Sequence, residues 1–302
     1  MQSCAYIQKL IVIYEKLNVF SLIGNIKLVF TGGIKSRNKK KQILKECPLV
    51  TIITVVRNGE QTLEETIINV INQTYKNMEY IIIDGNSTDG TLNIIKKHEE
   101  KIDYWISEPD KGIYNAMNKG IDLATGEWIN FMNSGDEFYS EATLEEIFLK
   151  ENNHDSEIIY GDTLLVYDYA SCIKKAEPLV KMLCYMPFTH QASFVKTQLL
   201  KAVKFNETYI ISADYNFFYC IYLGKHIYFY TGIIIAKYNA EHGVSKNYDL
   251  TQREYARIQG IDKKPWYKIF LGINYFMYLF KLALKKTLPR VFVSKIRRWK
   301  NR

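Results

Sequence analysis

The chain has few cysteines, and none of them has the spacing of a metal site or a disulfide framework. Of its 302 residues, five are cysteines: Cys4, Cys47, Cys172, Cys184 and Cys220. They form no C-x-x-C pair and have no histidine at ligand spacing, which argues against a zinc site. We therefore expect structural thiols in a reducing compartment such as the cytosol.

The sequence also lacks the glycine-rich loops that commonly hold phosphate groups. Neither G-x-x-x-x-G-K nor G-x-G-x-x-G occurs in the chain. A diphosphate that is bound without such a loop usually needs a divalent cation, and hard cations take carboxylate oxygens as ligands. Mg²⁺ or Mn²⁺ is therefore the expected cofactor if the chain binds a diphosphate.

No secretory signal or long apolar span is evident. Residues 1–30 contain apolar patches, but charged residues interrupt them and no small-residue cleavage site follows. The apolar run between Lys268 and Lys281 is shorter than the roughly 20 residues of a spanning helix. Its aromatic residues and flanking lysines predict a helix in the membrane interface, with a short span or a packing helix as alternatives.

Positive charge is concentrated towards the two ends of the chain. The net charge is +8, yet Lys263 to Arg302 alone holds twelve Lys or Arg and no Asp or Glu. A second basic cluster, without an acid, lies in residues 35–45. Basic ends on a balanced core indicate an anionic partner. Because no aromatic-interleaved RNA signature accompanies them, we expect an anionic membrane surface and no nucleic acid.

Two segments have the pattern of a buried strand followed by a polar loop and a helix. In residues 49–60, a β-branched run ends at Val56-Arg57-Asn58-Gly59, and an apolar helical face starting at Leu63 follows. In residues 81–95, three isoleucines end at Asp84, and Ser87, Thr88 or Asp89 is the expected N-cap of the next helix. Two such units predict a right-handed βαβ sheet, whose ligands bind at the carboxyl ends of the strands.

The pattern continues for two more strands and then changes. We predict strands at 102–106 and 127–132, a helix at 112–123 and a helix of about ten residues from Ser140. Beyond residue 151, short strands alternate with helices at 197–203 and 213–223; the predicted strands are 157–160, 163–167, 192–195, 227–230 and 233–238. This half is typical of a mixed substrate-binding region attached to a nucleotide-binding half.

Three acidic features fall at the carboxyl ends of predicted strands. They are Asp84, the turn Glu108-Pro109-Asp110-Lys111-Gly112, and Asp136 in the turn that begins at Asn133. Ends of neighbouring parallel strands meet at one edge of a sheet, so these side chains should lie near one another. One carboxylate together with diphosphate oxygens and waters is enough to hold Mg²⁺ or Mn²⁺.

These motifs, in this order, resemble the inverting glycosyltransferases of family two. The segments that carry the resemblance are VTIITVVRN, IIIDGNSTDGT and SEPDKGIYNAMNKGIDLATGEWINFMNSGD. The similarity runs from about Pro48 to Leu223 and is nearest to the bacterial enzymes that build capsular, exopolysaccharide or O-antigen repeat units. It implies the GT-A fold: a single, mostly parallel, doubly wound α/β sheet with a nucleotide-binding first half, a mixed acceptor-binding second half and a helical C-terminal tail.

The resemblance implies a role for several positions. Asp84 stands where the family's acid recognises the base, and Thr54, Val56 and Asn58 belong to the same pocket. Asp136 occupies the family's D-x-D position and is the predicted metal ligand, although Gly135 stands where the family often has another acid. The loop at the ribose and diphosphate corresponds to Asp110, Lys111 and Gly112.

The predicted catalytic base is Asp214. Inverting transfer needs one base to remove the proton of the attacking hydroxyl, and Ser212-Ala213-Asp214-Tyr215 resembles the segment that supplies it in the family. An N-cap role for this carboxylate is the alternative, and Asp162 or Glu241 would be the next candidate base. His190 and Gln191 match a His-Gln pair expected near the acceptor or diphosphate, and Glu241-His242-Gly243-Val244-Ser245 resembles a loop near the site.

Three units are expected along the chain. They are an extension and basic linker (1–46), the GT-A domain (47–262, with halves 47–138 and 139–262) and an amphipathic basic tail (263–302). The expected activity is transfer of one sugar, with inversion, from a UDP-linked donor to a lipid-linked saccharide. The expected location is the cytoplasmic face of the plasma membrane. The alternatives are a nucleotidyltransferase, which usually has a longer glycine-rich loop after its first strand, and a degenerate scaffold that binds sugar nucleotides.

Overall fold

The structure is a computed structural model that describes residues 29–35, 47–150, 155–167, 170–240, 247–267, 272–273, 276 and 279–280. Most of the predicted N-terminal extension and basic tail lies outside these residues, as does the 241–245 loop. Within the described ranges, no helix combines the length and the apolar character needed to cross a membrane.

One sheet of ten strands organises the described part of the chain. In chain order the strands are β1 (Phe30–Gly32), β2 (Val50–Val56), β3 (Met78–Asp84), β4 (Tyr104–Ser107), β5 (Trp128–Phe131), β6 (Glu137–Phe138), β7 (Ile158–Tyr167), β8 (Ala170–Lys174), β9 (Ser193–Lys196) and β10 (Tyr228–Asn239).

Helices connect these strands and cover both faces of the sheet. The described α-helices are α1 (Leu63–Ile71), α2 (Thr91–Lys97), α3 (Ile113–Leu123), α4 (Thr143–Glu145), α5 (Thr197–Val203), α6 (Ala213–Leu223) and α7 (Tyr248–Ile258). A π turn, Glu146–Lys150, continues α4, and short 3₁₀ turns lie at Glu99–Lys101, Leu179–Leu183 and His190–Ala192.

The centre of the sheet is parallel, in the order β4-β3-β2-β5. Every residue of β2 and β3 is buried, as expected of parallel strands that helices cover on both faces. Val50, Ile52 and Val56 of β2 pack in one core cluster with α1 and α2, whereas Ile53 and Val55 pack in a second cluster with α3. The predicted doubly wound α/β architecture is therefore confirmed.

The second half of the sheet mixes strand directions. β9 runs antiparallel to both β5 and β7, whereas β10 is parallel to β7 and antiparallel to β6. β8 is antiparallel to β7 and pairs with residues 163–167 of that strand. The mixed second half follows directly on the parallel centre, so both halves belong to one continuous sheet.

Several predicted boundaries were wrong. The two strands predicted within residues 157–167 form the single strand β7, and the two predicted within 227–238 form β10. Gly232 has φ 71° and lies where the register of β10 against β7 shifts, so it marks a bulge rather than a break. The helix expected from Ser140 begins at Thr143, and the N-cap of α2 is Gly90 rather than one of the three residues before it.

Candidate active site

A cavity of about 1110 Å³ opens at the carboxyl ends of β2 and β5. The loop after β2, the turn after β5 and the segment before α6 form its walls, together with parts of β7, β8 and β10. Open α/β sheets bind ligands at such an edge. The predicted site residues that line the cavity are Val56, Asn58, Asp136, His190, Gln191 and Asp214.

Asp84 orders the loops at one side of the cavity and does not belong to the cavity wall. Its carboxylate is fully buried and accepts hydrogen bonds from Ser87 N at 3.1 Å and from Ser107 Oγ at 2.5 Å. Ser87 Oγ in turn accepts a hydrogen bond from Asn58 N at 2.7 Å. Asp84 therefore positions the backbone of Asn58, which does line the cavity. Direct recognition of a base by Asp84 stays a prediction.

Thr54 lies deeper in the sheet than the sequence predicts. Its side chain is fully buried, and its hydroxyl donates to Met132 O at 2.6 Å and lies 3.0 Å from Tyr80 Oη. Val56, two residues further along the same face of β2, reaches the cavity instead. Thr54 therefore joins β2 to the residue that follows β5, and it is not part of the cavity wall.

The loop before α3 lies beside Asp84, outside the cavity wall. Asp110 Oδ1 accepts a hydrogen bond from Gly112 N at 2.9 Å, and Gly112 has φ 123°. The Asp110 carboxylate lies against Gly85, the residue after Asp84, where a side chain would collide with it. The structure therefore places the Asp110 carboxylate beside the backbone that follows Asp84 at the end of β3. Lys111 is exposed beside them.

A tight turn after β5 presents Asp136 to the cavity. Gly135 has φ 93°, in the left-handed region that strains residues with a side chain. Its N–H donates to Thr66 Oγ1 at 2.9 Å, and Thr66 Oγ1 donates to Asp136 O at 2.9 Å. This backbone geometry gives a physical reason for glycine at the position where a second acid was expected.

Asp136 is buried, and its environment suits a cationic partner. Its Oδ2 accepts a hydrogen bond from Gln191 Nε2 at 3.1 Å. Burial raises the pKa of the carboxyl to about 6, although the charge of His190 and the Gln191 hydrogen bond act in the opposite direction. A cation at the carboxylate would offset this desolvation.

The described side chains alone do not form a metal site. In the ranges that the structure covers, no group of three or more His, Cys, Asp or Glu side chains is placed to hold a metal ion. Mg²⁺ and Mn²⁺ sites of nucleotide-dependent enzymes commonly use one or two carboxylates and complete the shell with phosphate oxygens and water. The lone buried carboxylate of Asp136 fits a site of that kind.

His190 and Asp214 form a pair on the cavity wall. His190 Nδ1 lies 3.2 Å from Asp214 Oδ2, and Tyr114 Oη lies 3.2 Å from Asp214 Oδ1. Burial alone would lower the pKa of His190, but the hydrogen bond and charge of Asp214 and the charge of Asp136 raise it overall. Asp214 lies in the first turn of α6, where Ser212 is the N-cap, so it is not the capping residue itself.

Asn133 contacts the other side of the His190 ring. Its Nδ2 lies 3.2 Å from His190 Nε2, while its buried Oδ1 has no hydrogen-bond partner among the described residues. Rotation of this amide by 180° would place its Oδ1 next to His190 Nε2. An imidazolium donates from both ring nitrogens, so it requires an acceptor at this position. This arrangement would satisfy the buried oxygen and agrees with the raised pKa of His190.

Glu254 of α7 fixes the loop that leads into Asp214. Its buried carboxylate accepts hydrogen bonds from three consecutive backbone N–H groups, those of Ile210 (2.7 Å), Ile211 (3.1 Å) and Ser212 (2.8 Å). Tyr114 Oη also donates to Ile211 O. The backbone before Asp214 is therefore held from both sides.

Sequence reasoning did not single out Tyr114, Asn133 or Glu254 as site residues. Tyr114 and Asn133 lie within the segments that carry the family resemblance, and close to the ends of predicted strands. From that position they could have been predicted as site residues. Glu254 lies 40 or more residues from the loop it holds, in a helix that was not predicted, and no local pattern marks it.

Comparison with known proteins agrees with the fold. The family model described as Glycosyl transferase family 2 matches residues 51–218. A PGL/p-HBAD biosynthesis glycosyltransferase of Mycobacterium bovis is 28% identical over 207 residues, which are 66% of this chain and 79% of that protein. An uncharacterized glycosyltransferase of Haemophilus influenzae is 29% identical over 58% of this chain and 60% of its own.

Solved structures share the fold at lower sequence identity. S. aureus TarS (residues 1–349) in complex with UDP-GlcNAc aligns over 69% of this chain and 66% of its own, with 19% identity and a TM-score of 0.56. The mannosyltransferase PcManGT of Pyrobaculum calidifontis, in complex with GDP-Man and Mn²⁺, aligns over 74% of this chain and 66% of its own, with 18% identity and a TM-score of 0.52.

Proposed function

Because this chain belongs to glycosyl transferase family 2 and has the GT-A fold, we propose that it transfers a single sugar, with inversion, from a UDP-linked donor to a lipid-linked saccharide. The pathway would be the assembly of a capsular polysaccharide, exopolysaccharide or O-antigen.

The pairing of Asp214 with His190 is the observation that carries the proposal. A carboxylate on the wall of a large cavity, with His190 Nδ1 at one oxygen and the Tyr215 N–H at the other, is suited to receive a proton from an incoming hydroxyl. His190 and the Tyr215 N–H orient the carboxylate, and Tyr114 and Glu254 hold the backbone that precedes it. The deprotonated hydroxyl would then attack the anomeric carbon from the side opposite the diphosphate.

The donor would lie between Asp136 and the loops at the ends of β2 and β3. Asn58 lines the cavity, and Asp84, Asp110 and Lys111 cluster beside it. TarS with UDP-GlcNAc and PcManGT with GDP-Man and Mn²⁺ support a sugar nucleotide and a divalent cation as the ligands here. Asp136 would hold Mg²⁺ or Mn²⁺, which neutralises charge on the leaving diphosphate when it is bound.

The protein would act at the cytoplasmic face of the plasma membrane. Beyond α7, the described residues include large apolar side chains that are exposed: Trp266, Ile273, Phe276, Leu279 and Phe280. Residues 263–302 also carry the basic cluster of the C-terminal segment. Exposed apolar and basic groups together favour peripheral attachment to an anionic leaflet, which would bring the cavity to a lipid-linked acceptor. The units 1–46, 47–262 and 263–302 remain the proposed organisation.

A panel of sugar nucleotides tests the proposal. The full chain is incubated with Mn²⁺ and one sugar nucleotide at a time, which is a UDP-, GDP-, dTDP- or CMP-sugar. Release of the nucleotide is measured over hours. We expect slow release of UDP from one or more UDP-sugars, and none after EDTA treatment. Release of pyrophosphate from a nucleoside triphosphate and a sugar 1-phosphate would indicate a nucleotidyltransferase instead. Binding without turnover of any donor would indicate a degenerate scaffold.

A further inference from the structure

Lys174 lines the same cavity as Asp214, and the proposed mechanism does not use it. It is the last residue of β8, and its register partner on β7 is Thr163. Along one edge of β7, β9 pairs with residues 158–160 and β8 with residues 163–167, whereas β10 pairs along the opposite edge. The 3₁₀ turn that carries His190 leads directly into β9. Lys174 and the His190 turn are therefore neighbours along this edge.

A side-chain contact confirms this neighbourhood. Thr163 Oγ1 lies 2.6 Å from Thr189 Oγ1, and Thr189 directly precedes His190. Paired residues on adjacent antiparallel strands lie on the same face of a sheet, with Cβ atoms about 5 Å apart. Lys174 therefore lies next to the wall that carries the His190–Asp214 pair.

The surroundings of Lys174 resemble a binding site for a sugar that carries a negative charge. Leu165 and Tyr167 of β7 and Tyr238 of β10 line this part of the cavity, and Leu165 is the register partner of Tyr238. Tyrosine combines a flat apolar surface with a polar tip, which suits the apolar face of a sugar ring. This end of the cavity thus combines aromatic surface with a cation.

The ammonium group of Lys174 has no ion-pair partner in the part of the chain that the structure describes. Burial lowers the pKa of Lys174, although the charge of Glu177 acts in the opposite direction. The charge of Glu177 offsets only part of this desolvation, since the pKa stays lowered overall, and an anionic ligand would offset more of it.

The donor side of the cavity has its own basic residue. Arg57 lies in the loop after β2, and its Cβ lies near Gly85 at the end of β3. The predicted divalent cation would lie at Asp136, also on that side. Lys174, which extends from the second half of the sheet, is thus available for the other substrate.

We propose that Lys174 is the anion-binding residue of an acceptor subsite, and that the acceptor carries a phosphate or a carboxylate close to the hydroxyl group that receives the sugar. The inference rests on the proposed glycosyl transfer and specifies the acceptor class. The phosphate could belong to a lipid-linked sugar and the carboxylate to a uronic acid, and both present anionic oxygens to the same ammonium group.

Binding of three simple sugars distinguishes these cases. Dissociation constants of glucose, glucose 1-phosphate and glucuronic acid are measured by ligand-observed NMR titration of the full chain, with UDP and Mn²⁺ saturating so that the donor phosphate site is occupied. The variants are Lys174→Met, which removes the charge and keeps the apolar stem, and Lys175→Met at the exposed neighbour that does not line the cavity. Lys174→Gln repeats the comparison if Lys174→Met does not fold.

We expect the wild type and Lys175→Met to bind glucose 1-phosphate, glucuronic acid or both about tenfold or more tightly than glucose, because a charge-assisted hydrogen bond contributes that much. Lys174→Met should bind the anionic sugars no better than glucose. The sugar that shows the difference identifies phosphate or carboxylate as the recognised group.

Three results would overturn the inference. The first is equal binding of anionic and neutral sugars by the wild type. The second is a preference for the anionic sugar that persists in Lys174→Met. The third is a lower affinity of Lys174→Met for UDP, titrated separately without sugar, which would place Lys174 on the donor side. The donor panel described above is independent of these titrations. A wild type that hydrolyses UDP-sugars but shows no anionic preference would refute only the role of Lys174, whereas absence of donor turnover would refute the glycosyl transfer itself.

Discussion

Individual side chains around the cavity have environments that suit different tasks. Asp136 is buried, and a cation would offset the desolvation that raises its pKa, whereas Asp214 has His190 at one oxygen and the Tyr215 N–H at the other and lies at the cavity wall. The sequence predicted both acids from their positions after a strand and at a helix start. It could not predict that Thr54 and Asp84 would be covered, because burial depends on contacts with residues such as Tyr80 and Ser107 that lie more than 20 residues away.

Replacement of Asp136 tests its role as the metal ligand. Asp136→Asn keeps the shape of the side chain and its Gln191 contact, but it removes the charge that attracts a cation. We expect loss of transfer and of the Mn²⁺-dependent part of UDP binding, measured by calorimetric titration with and without Mn²⁺. Glu137→Gln, at the next residue, is the matched control and should keep both. Retention of Mn²⁺-dependent binding in Asp136→Asn would remove this residue from the metal site.

At the scale of elements, buried carboxylates join segments that are distant in sequence. Glu79 of β3 accepts hydrogen bonds from Lys35 after β1, from Thr51 of β2 and from Thr125 before β5. Glu254 of α7 does the same for the loop before α6. The buried apolar runs predicted the central strands well. The edge strands β1 and β8 were missed because pairing with strands distant in sequence, rather than local periodicity, stabilises them. Helix α7 was missed although its residues are amphipathic and Asn247 caps its N-terminus.

The Glu79 contacts predict a pH-dependent stability. Burial would raise the pKa of this carboxyl, but hydrogen bonds from Lys35, Thr125 and Thr51 outweigh it and lower the pKa below its ordinary value of 4.5. A depressed pKa stabilises the fold above the pKa of the unfolded chain, and this contribution is lost as pH falls through the folded pKa.

We therefore expect Glu79→Gln to lower the free energy of unfolding by about 1–3 kcal/mol at pH 7. The difference from wild type should shrink as the pH falls below 4.5, the ordinary pKa of a glutamate carboxyl. Urea denaturation between pH 3.5 and 7 measures both. Glu65→Gln, at an exposed position of α1, is the control and should follow the wild type. A difference that stays constant to pH 3.5 would contradict a depressed pKa.

Glu254 is expected to act on catalysis through the position of Asp214. In Glu254→Gln, an NH₂ group replaces one acceptor facing the N–H groups of Ile210 to Ser212, so the loop should shift. We expect kcat to fall by about tenfold, equivalent to about 1.4 kcal/mol, with the donor KM nearly unchanged. Arg253→Gln on the exposed side of α7 should change neither. Equal losses in kcat and donor affinity, or a change in melting temperature alone, would indicate a merely structural role.

The whole molecule combines a family 2 glycosyltransferase fold with a C-terminal segment rich in basic and aromatic residues. The fold class was predictable because several strand-end motifs occur in the family's order. The donor sugar, the acceptor and the linkage were not, since they depend on the shape of a cavity assembled from both halves of the sheet. The structure adds that Tyr267 packs on α7, with its hydroxyl donating to Gln252 O at 2.8 Å.

Removal of the segment after Tyr267 tests membrane attachment. Each basic residue near an anionic leaflet contributes about 1 kcal/mol, and insertion of apolar side chains adds to this. The chain ending at Tyr267 should no longer co-sediment with phosphatidylserine-containing vesicles, while hydrolysis of the donor should survive. High salt should weaken attachment of the full chain only in part. Co-sedimentation equal to that of the full chain would show that residues 268–302 are not the anchor.

The central claim is inverting transfer with Asp214 as the base, and the anomeric form of the first hydrolysis product tests it most directly. A UDP-α-sugar that turns over in the donor panel is hydrolysed in an NMR tube, and the anomeric proton signals are followed before mutarotation equilibrates them. The account predicts that the β-anomer appears first, and that Asp214→Asn slows its formation by about 10²–10⁴ while UDP affinity is kept. Initial appearance of the α-anomer, or an unchanged rate in Asp214→Asn, would contradict it.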